Sequence, residues 1–309
     1  MNLSLFDWHC DTANEMLRQA QSLTSNHLAV SLENASVFFD YTQVMALWTE
    51  HRLSDEEGWE RYHAMLENLK ADPAFSERKV CLCTSAPCLK APLPKLLLGV
   101  EDARILNGQI ERLDRLYADG VRVLTLLWSG ETCIGGSHNT QSGLTEFGKQ
   151  VVRRAIELGI LPDISHASVE SAADVFAIAR KYRFPVIASH SNAYDVCPVS
   201  RNLRNDQIAS IIESDGIIGL NLYQGFLKKD GPAHAEDVLP HVDHFLSLGA
   251  KDVLCLGGDM DGCELPDDIP TLKELPRLAE LMLRHNYSEE LVKAIFFENA
   301  NRFANQYLI

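Results

Sequence analysis

The chain has 309 residues, 46% hydrophobic and 23% charged, which is ordinary globular composition with enough length for a large core. Its formal net charge of −15 argues against nucleic acid or an anionic membrane surface as a partner. No run of about 18 apolar residues is present to span a bilayer.

The first apolar run, LSLFDWHCD, carries His9 and Asp11 at a spacing of two. A strand turns residues i and i+2 to the same face, so its end offers an imidazole beside a carboxylate. The motif starts too early for a cleaved signal peptide to precede it, and a cytoplasmic location is the expectation. Seven more short apolar or β-rich runs follow, at 43–48, 96–101, 121–128, 160–165, 184–189, 216–222 and 252–258. With 3–9 they make eight strands of the kind buried on both faces.

Helical patterns fill the gaps. Ser54-x-x-Glu57 is a capping box that opens a helix after the second strand. Residues 104–119 set Ile105, Leu106, Ile110, Leu113 and Leu116 on one stripe, and Gly120 stops the helix. The cadence returns at IELG, IIESDG and FLSLG. Alternation of strand and helix eight times predicts an α/β fold with a closed parallel sheet, a (β/α)8 TIM-type barrel. A doubly wound open sheet is the alternative. No linker divides the chain, so residues 1–309 read as a single domain. Residues 264–309 add two helices, expected to pack across the outside of the barrel.

The eight cysteines form no framework. Cys81, Cys83 and Cys88 are close in sequence but contain no C-x-x-C pair. Reduced thiols and no cysteine-based zinc site are expected.

Barrel chemistry collects at the carboxyl ends of the strands. His9 and Asp11 close strand one, Glu101 closes strand three, His166 follows strand five, His190 follows strand six and Asp259 follows strand eight. Charged groups at the ends of apolar strands are costly unless paired or ligated. Three histidines with two or three carboxylates exceed the needs of one tetrahedral zinc and suit two metals sharing a carboxylate. Glu101 is the best bridge. One metal takes His9, Asp11 and Glu101, and the other takes Glu101, His166 and His190. Nitrogen and oxygen donors favour two Zn2+, with Mn2+, Co2+ or Fe2+ as alternatives. Asp259 is then free to orient a hydroxide and to carry its proton to a leaving group.

At these residues the chain resembles the membrane (renal) dipeptidase family of binuclear zinc peptidases. The matching motifs are D-x-H-x-D at 7–11, GVE at 99–101, LTL at 124–126, DISHAS at 163–168, ASHSNA at 188–193, SRN with Asp206 at 200–206, and GGDMDG at 257–262. The resemblance implies a metal-dependent barrel that hydrolyses dipeptides through a hydroxide bridging two zinc ions, often tolerating a D-residue at the C-terminal position. It places the metal ligands on His9, Asp11, Glu101, His166 and His190, the substrate-binding arginine on Arg201 and the proton-transfer aspartate on Asp259. A planar guanidinium suits the free carboxylate of a dipeptide. The bland alternative for Arg201 is a surface pair with Asp206.

Two departures stand out. Trp128 occupies the place of a family histidine that contacts the substrate carbonyl, and it is expected to contact substrate; His138, in a Gly-rich loop, is the candidate replacement for that histidine. Asp102, Ala103 and Arg104 replace a Gly-Gly-His. Trp48 is expected to line the pocket, and loops 129–146 and 224–236 to cover it. His241 and His244 are expected to be structural and to face away from the rim. A homodimer is left open. The competing functions are another metal amidohydrolase, acting on a lactone or cyclic amide, and a metal-binding barrel without turnover.

Overall fold

The computed structural model describes residues 2–308. Its strands are β1 (Leu5–Cys10), β2 (Tyr41–Trp48), β3 (Cys81–Leu82), β4 (Lys95–Glu101), β5 (Val121–Thr125), β6 (Leu161–Asp163), β7 (Ile218–Leu220) and β8 (Leu254–Leu256). They pair in parallel in the order β6, β5, β4, β2, β1, β8, β7. The run expected as strand six closes the circle by two bridges, Asp163 to Ile187 and Ala188 to Ile218. The result is the eight-fold parallel barrel that the alternation predicts.

The pairing at the closure is tight. A Cβ on Gly219 or Gly257 would stand 1.9 or 1.8 Å from the Ser189 carbonyl oxygen, so only glycine permits this approach. β3 was not anticipated. It pairs with Lys95 and Leu96 of β4, below the point where β5 begins its own pairing at Leu98.

The helices follow the sequence signals, with one break. Ser54 caps Asp55–Lys70 through the full capping box. The stripe at 104–119 splits into a 3-10 turn, Ala103–Leu106, and a helix, Glu111–Asp119, because Asn107 and Gly108 take left-handed φ values of 46° and 71°. Gly120 and Gly159 end their helices in the left-handed conformation.

A buried cluster takes Phe6, Trp8, Val44, Leu97, Val123, Leu161 and Cys255 from barrel strands, Ile187 from the closing segment and Ile217 from just before β7. These side chains form the layer that fills the barrel interior. Ala300, Phe303, Ala304 and Leu308 belong to the same cluster, and Phe303 packs edge-on to Trp8 at 5.5 Å. The C-terminal helix Asn299–Tyr307 therefore plugs the end of the barrel. This corrects the expectation that the last helices lie only across the outside. The apolar stripe Ala300, Phe303, Ala304 finds its partner in the barrel interior.

The cysteine expectation also needs correction. The turn Ala86–Lys90 folds Cys88 back onto the C-x-C of β3, and Cys83 and Cys88 are joined by a disulfide. No helix among the described residues is long and apolar enough to cross a membrane.

His241, on the helix Leu239–Ser247, is fully buried and does not face away from the rim. Its Nδ1 accepts from the Ala193 N–H at 3.1 Å, and its Nε2 lies 3.0 Å from the Leu227 carbonyl. It ties together two loops on the carboxyl side of the barrel, and its role is structural, as expected.

Replacing Phe303 by Ala should cost about 3–5 kcal/mol of stability through the cavity it leaves in the barrel end, read as a lower urea midpoint. His241 gives a pH signature. Burial holds its imidazole down at about 4, below the ordinary 6.5. Between those values the unfolded chain binds the extra proton and the folded protein does not. Stability should therefore fall as pH drops from 6.5 towards 4, by roughly 3 kcal/mol in full. His241→Gln should be less stable at neutral pH but should show a flatter acid limb in pH-dependent denaturation.

Candidate active site

The strand ends deliver the expected residues to one mouth. Glu101, the last residue of β4, is buried at the centre. Its Oε2 faces His9 Nε2 at 3.4 Å, while its Oε1 faces His166 Nε2 at 2.9 Å and His190 Nε2 at 3.5 Å. Asp11 Oδ2 stands 3.4 Å from His9 Nε2, and Asp259 Oδ1 stands 3.9 Å away. Two donor sets meet in one carboxylate. The atoms that converge closely enough to hold an ion group differently from the expected ligand sets: His9, Glu101 and His190 form one group and His9, Asp11 and Asp259 the other, with His9 common to both.

The electrostatics fit a cation. Burial alone would raise the Glu101 carboxyl, but the three imidazoles hold it well below the usual carboxylate range. Burial and the Glu101 charge push Asp11 up to about 8. His9 goes the other way: burial would lower it, yet Glu101 and Asp11 raise it well above its ordinary value. The acidic side of the site thus demands positive charge, which a proton on His9 supplies in part. His9 Nε2 and Asp11 Oδ1 are buried without hydrogen-bond partners. Such orphaned polar atoms are costly unless something else satisfies them. His166, lowered to about 3 by burial and Arg201, and His190, pushed well below normal by burial, are held neutral, the state a metal ligand requires.

The surrounding shell fixes the rings. His166 Nδ1 lies 3.1 Å from the Trp128 carbonyl, so it carries the proton and leaves Nε2 free for a ligand bond. Ser189 Oγ donates to Asp163 at 2.5 Å and contacts His190 Nδ1 at 2.7 Å, which orients the second ring. Asp163 also accepts from Thr125 Oγ1, Ser165 N and Ser189 N. Asp7 accepts from His9 N, Gln43 Nε2 and Gly258 N. Asn221 donates to Asp259 Oδ2 at 2.9 Å. Sequence reasoning gave Asp7, Asp163, Ser189 and Asn221 no role. The first three lie inside the quoted motifs, and Asn221 is a polar residue just past an apolar strand, which was the available signal.

Arg201 is buried rather than paired with Asp206. It donates to Ser191 Oγ at 3.3 Å and to the His190 carbonyl at 3.2 Å, and its Nε has no partner. Burial lowers its pKa to about 10, so it stays charged. It lines a cavity of about 260 Å³ with His138, Ser200 and His166. A larger cavity, about 620 Å³, is lined by Asp11, Glu101, Trp48, Trp128, Phe226 and Asp259, with His166 common to both.

A family model described as membrane dipeptidase (peptidase family M19) matches residues 1–307. The chain belongs to that family. It is a metallo-dipeptidase, a hydrolase acting on dipeptides. A solved metallopeptidase of the same family, called dipeptidase AC, is 26% identical with a TM-score of 0.91, covering 99% of both chains. A metallopeptidase from Rhodobacter sphaeroides, solved with a phosphinate mimic of the dipeptide L-Ala-D-Ala, is 24% identical with a TM-score of 0.91 over 99% of this chain and 100% of the other. An uncharacterized protein of Klebsiella pneumoniae, encoded in the pqqA 5' region, is 29% identical over 75% of this chain and 90% of its own length.

In this dipeptidase the two departures have different consequences. Trp128 stacks with His51 and meets Trp48 edge-on, both at 5.3 Å, and so forms an aromatic wall of the larger cavity. His138 lies across the mouth: its N–H donates to the His166 carbonyl at 2.7 Å and its Nδ1 meets Ser200 Oγ at 2.8 Å. Asp102, where the family has glycine, keeps a positive φ of 77°. Its carboxylate receives the Arg104 N–H and Nε–H, and Arg104 then donates to the carbonyls of Glu50 and Leu53. The replaced motif has become a clamp that holds the His51 loop beside the site.

A Cβ at Gly262 would lie 1.9 Å from Asp11 Oδ2. Gly262→Ala should therefore displace Asp11 and lower metal affinity by about 10–100-fold, measured by competition with a chelator.

Proposed function

We propose that this dipeptidase works with two zinc ions bridged by Glu101, and that it cleaves small dipeptides, including those with a C-terminal D-residue. The carrying observation is the division of the Glu101 carboxylate, one oxygen toward His9 and the other toward His166 and His190. His9, Asp11 and Glu101 would hold one ion, and Glu101, His166 and His190 the other. When bound, the pair would polarise the scissile carbonyl and lower the pKa of a water from about 15.7 to about 7.

The chain's own groups supply the rest. Asp259 stands partly exposed at the mouth, fixed by Asn221 through one oxygen with the other turned toward His9. Burial raises its carboxyl, which suits a group that takes a proton from the attacking water and gives it to the departing amine. Arg201 has an unpartnered buried Nε to offer to the substrate's terminal carboxylate. This orientation seats the C-terminal residue in the smaller cavity and the N-terminal residue between Trp48 and Trp128. His138, held neutral with its pKa pulled down to about 4 by burial, is positioned to donate to the substrate beside Arg201. The His138 and Phe226 loops close the two sides and restrict length.

Metal analysis of the purified protein should find two ions per chain. Chelation should abolish hydrolysis of an L-Ala-D-Ala and L-Ala-L-Ala panel, and zinc should restore it. Asp259→Asn should keep both ions yet lose roughly 10²–10⁴-fold in kcat. Arg201→Met should mainly raise KM, by about 10–100-fold, as expected for a lost hydrogen bond to a charged group. A single bound ion, or Asp259→Asn turning over normally, would overturn this reading.

A further inference from the structure

A second constellation of metal-competent side chains lies at the opposite end of the barrel. Cys81 opens β3, opposite Lys95 at the amino end of β4, whereas the active site gathers at the carboxyl end. Cys83 follows β3, and Cys88 returns from the turn Ala86–Lys90. Cys81 Sγ stands 4.0 Å from Cys83 Sγ and 3.9 Å from Cys88 Sγ. The three sulfurs converge closely enough to hold one ion.

Their geometry is informative. Sulfurs each about 2.3 Å from one ion stand about 4 Å apart in a planar triangle. Two of the three edges already have that length. The third is the Cys83–Cys88 disulfide, which must open first. The expectation of no cysteine metal site rested on the absence of C-x-x-C pairs. The fold supplies instead a C-x-C and a third sulfur from the following turn.

We propose that the reduced Cys81, Cys83 and Cys88 form a three-thiolate site for the soft cation Cu(I), available only while the disulfide is open. A dithiol reductant supplies two electrons and two protons, converts the disulfide to two thiols and leaves as its own disulfide. Binding of the ion then releases the three thiol protons. The cluster brings no imidazole or carboxylate, and all-sulfur donors without a fourth ligand suit Cu(I) better than zinc. Burial raises the Cys81 thiol above its ordinary value and Lys95 offsets this only in part, so the incoming ion must displace that proton. Cys81 and Cys88 are only partly buried, which gives an ion a path in, while Cys83 sits against the apolar barrel end with Leu89 and Leu97.

The test is anaerobic titration of the full-length protein with Cu(I). Protein reduced by a dithiol, then freed of it, should develop a thiolate-to-copper charge-transfer band that saturates at one equivalent. Cys263 is a lone free thiol in the active-site cavity, so the titration is repeated on Cys263→Ser, which should keep the band. Oxidised protein should show none. Cys81→Ser keeps both disulfide partners and should weaken Cu(I) binding roughly tenfold or more. Unchanged dipeptide hydrolysis and circular dichroism would show that this variant folds; if Cys81→Ser misfolds, alkylation of Cys81 in the oxidised protein before reduction serves as the second probe. No band in reduced protein, an equal band in oxidised protein, or unweakened binding without the Cys81 thiol would overturn the proposal.

Discussion

A single buried carboxylate organises the mouth of this barrel. Glu101 ends strand β4 and presents one oxygen to His9 and the other to His166 and His190. A charge buried this deeply is tolerable only with strong compensation. The three imidazoles provide part of it, and the demand for further positive charge at His9 and Asp11 is what fits the site to a metal ion. Displacing Glu101 would leave those groups facing each other without a common partner.

Holding that arrangement falls to two other buried carboxylates, Asp7 and Asp163. Asp7 joins β1, β2 and the turn after β8 through three donors. Asp163 joins β5, β6 and the closing segment through four. Each acts as a staple on one side of the mouth, and through Ser189 the second also sets the ring of His190. The approach of Gly219 and Gly257 to the Ser189 carbonyl completes this side. Such fully satisfied polar networks favour one register over its neighbours, because a slip would leave several buried groups unpaired.

The two ends of the barrel carry different duties. At the carboxyl end, segments bearing His138 and Phe226 line two cavities on either side of His166, and the Arg104-clamped segment backs Trp128 through His51. At the other end the helix Asn299–Tyr307 seals the apolar interior, and Ala86 donates to the carbonyl of Leu308. The cysteine cluster sits beside that seal, remote from the hydrolytic site.

Much of this was legible in the chain. Eight apolar runs separated by amphipathic ones set a parallel sheet covered by helices, because strands buried on both faces need cover on each; the barrel was the expected form and an open doubly wound sheet the alternative. The positions of His9, Asp11, Glu101, His166, His190 and Asp259 at strand ends set the kind of chemistry, since each motif fixes its own local geometry. The tertiary structure alone decided the rest: that Arg201 turns inward rather than to Asp206, that Arg104 clamps a loop about 50 residues before it, that Phe303 enters the barrel to meet Trp8, and that Cys88 reaches Cys83. Periodicity records only which face of an element is apolar. Which distant partner covers that face, or satisfies a buried donor, is settled when the barrel closes and each group takes the nearest partner that desolvation leaves it.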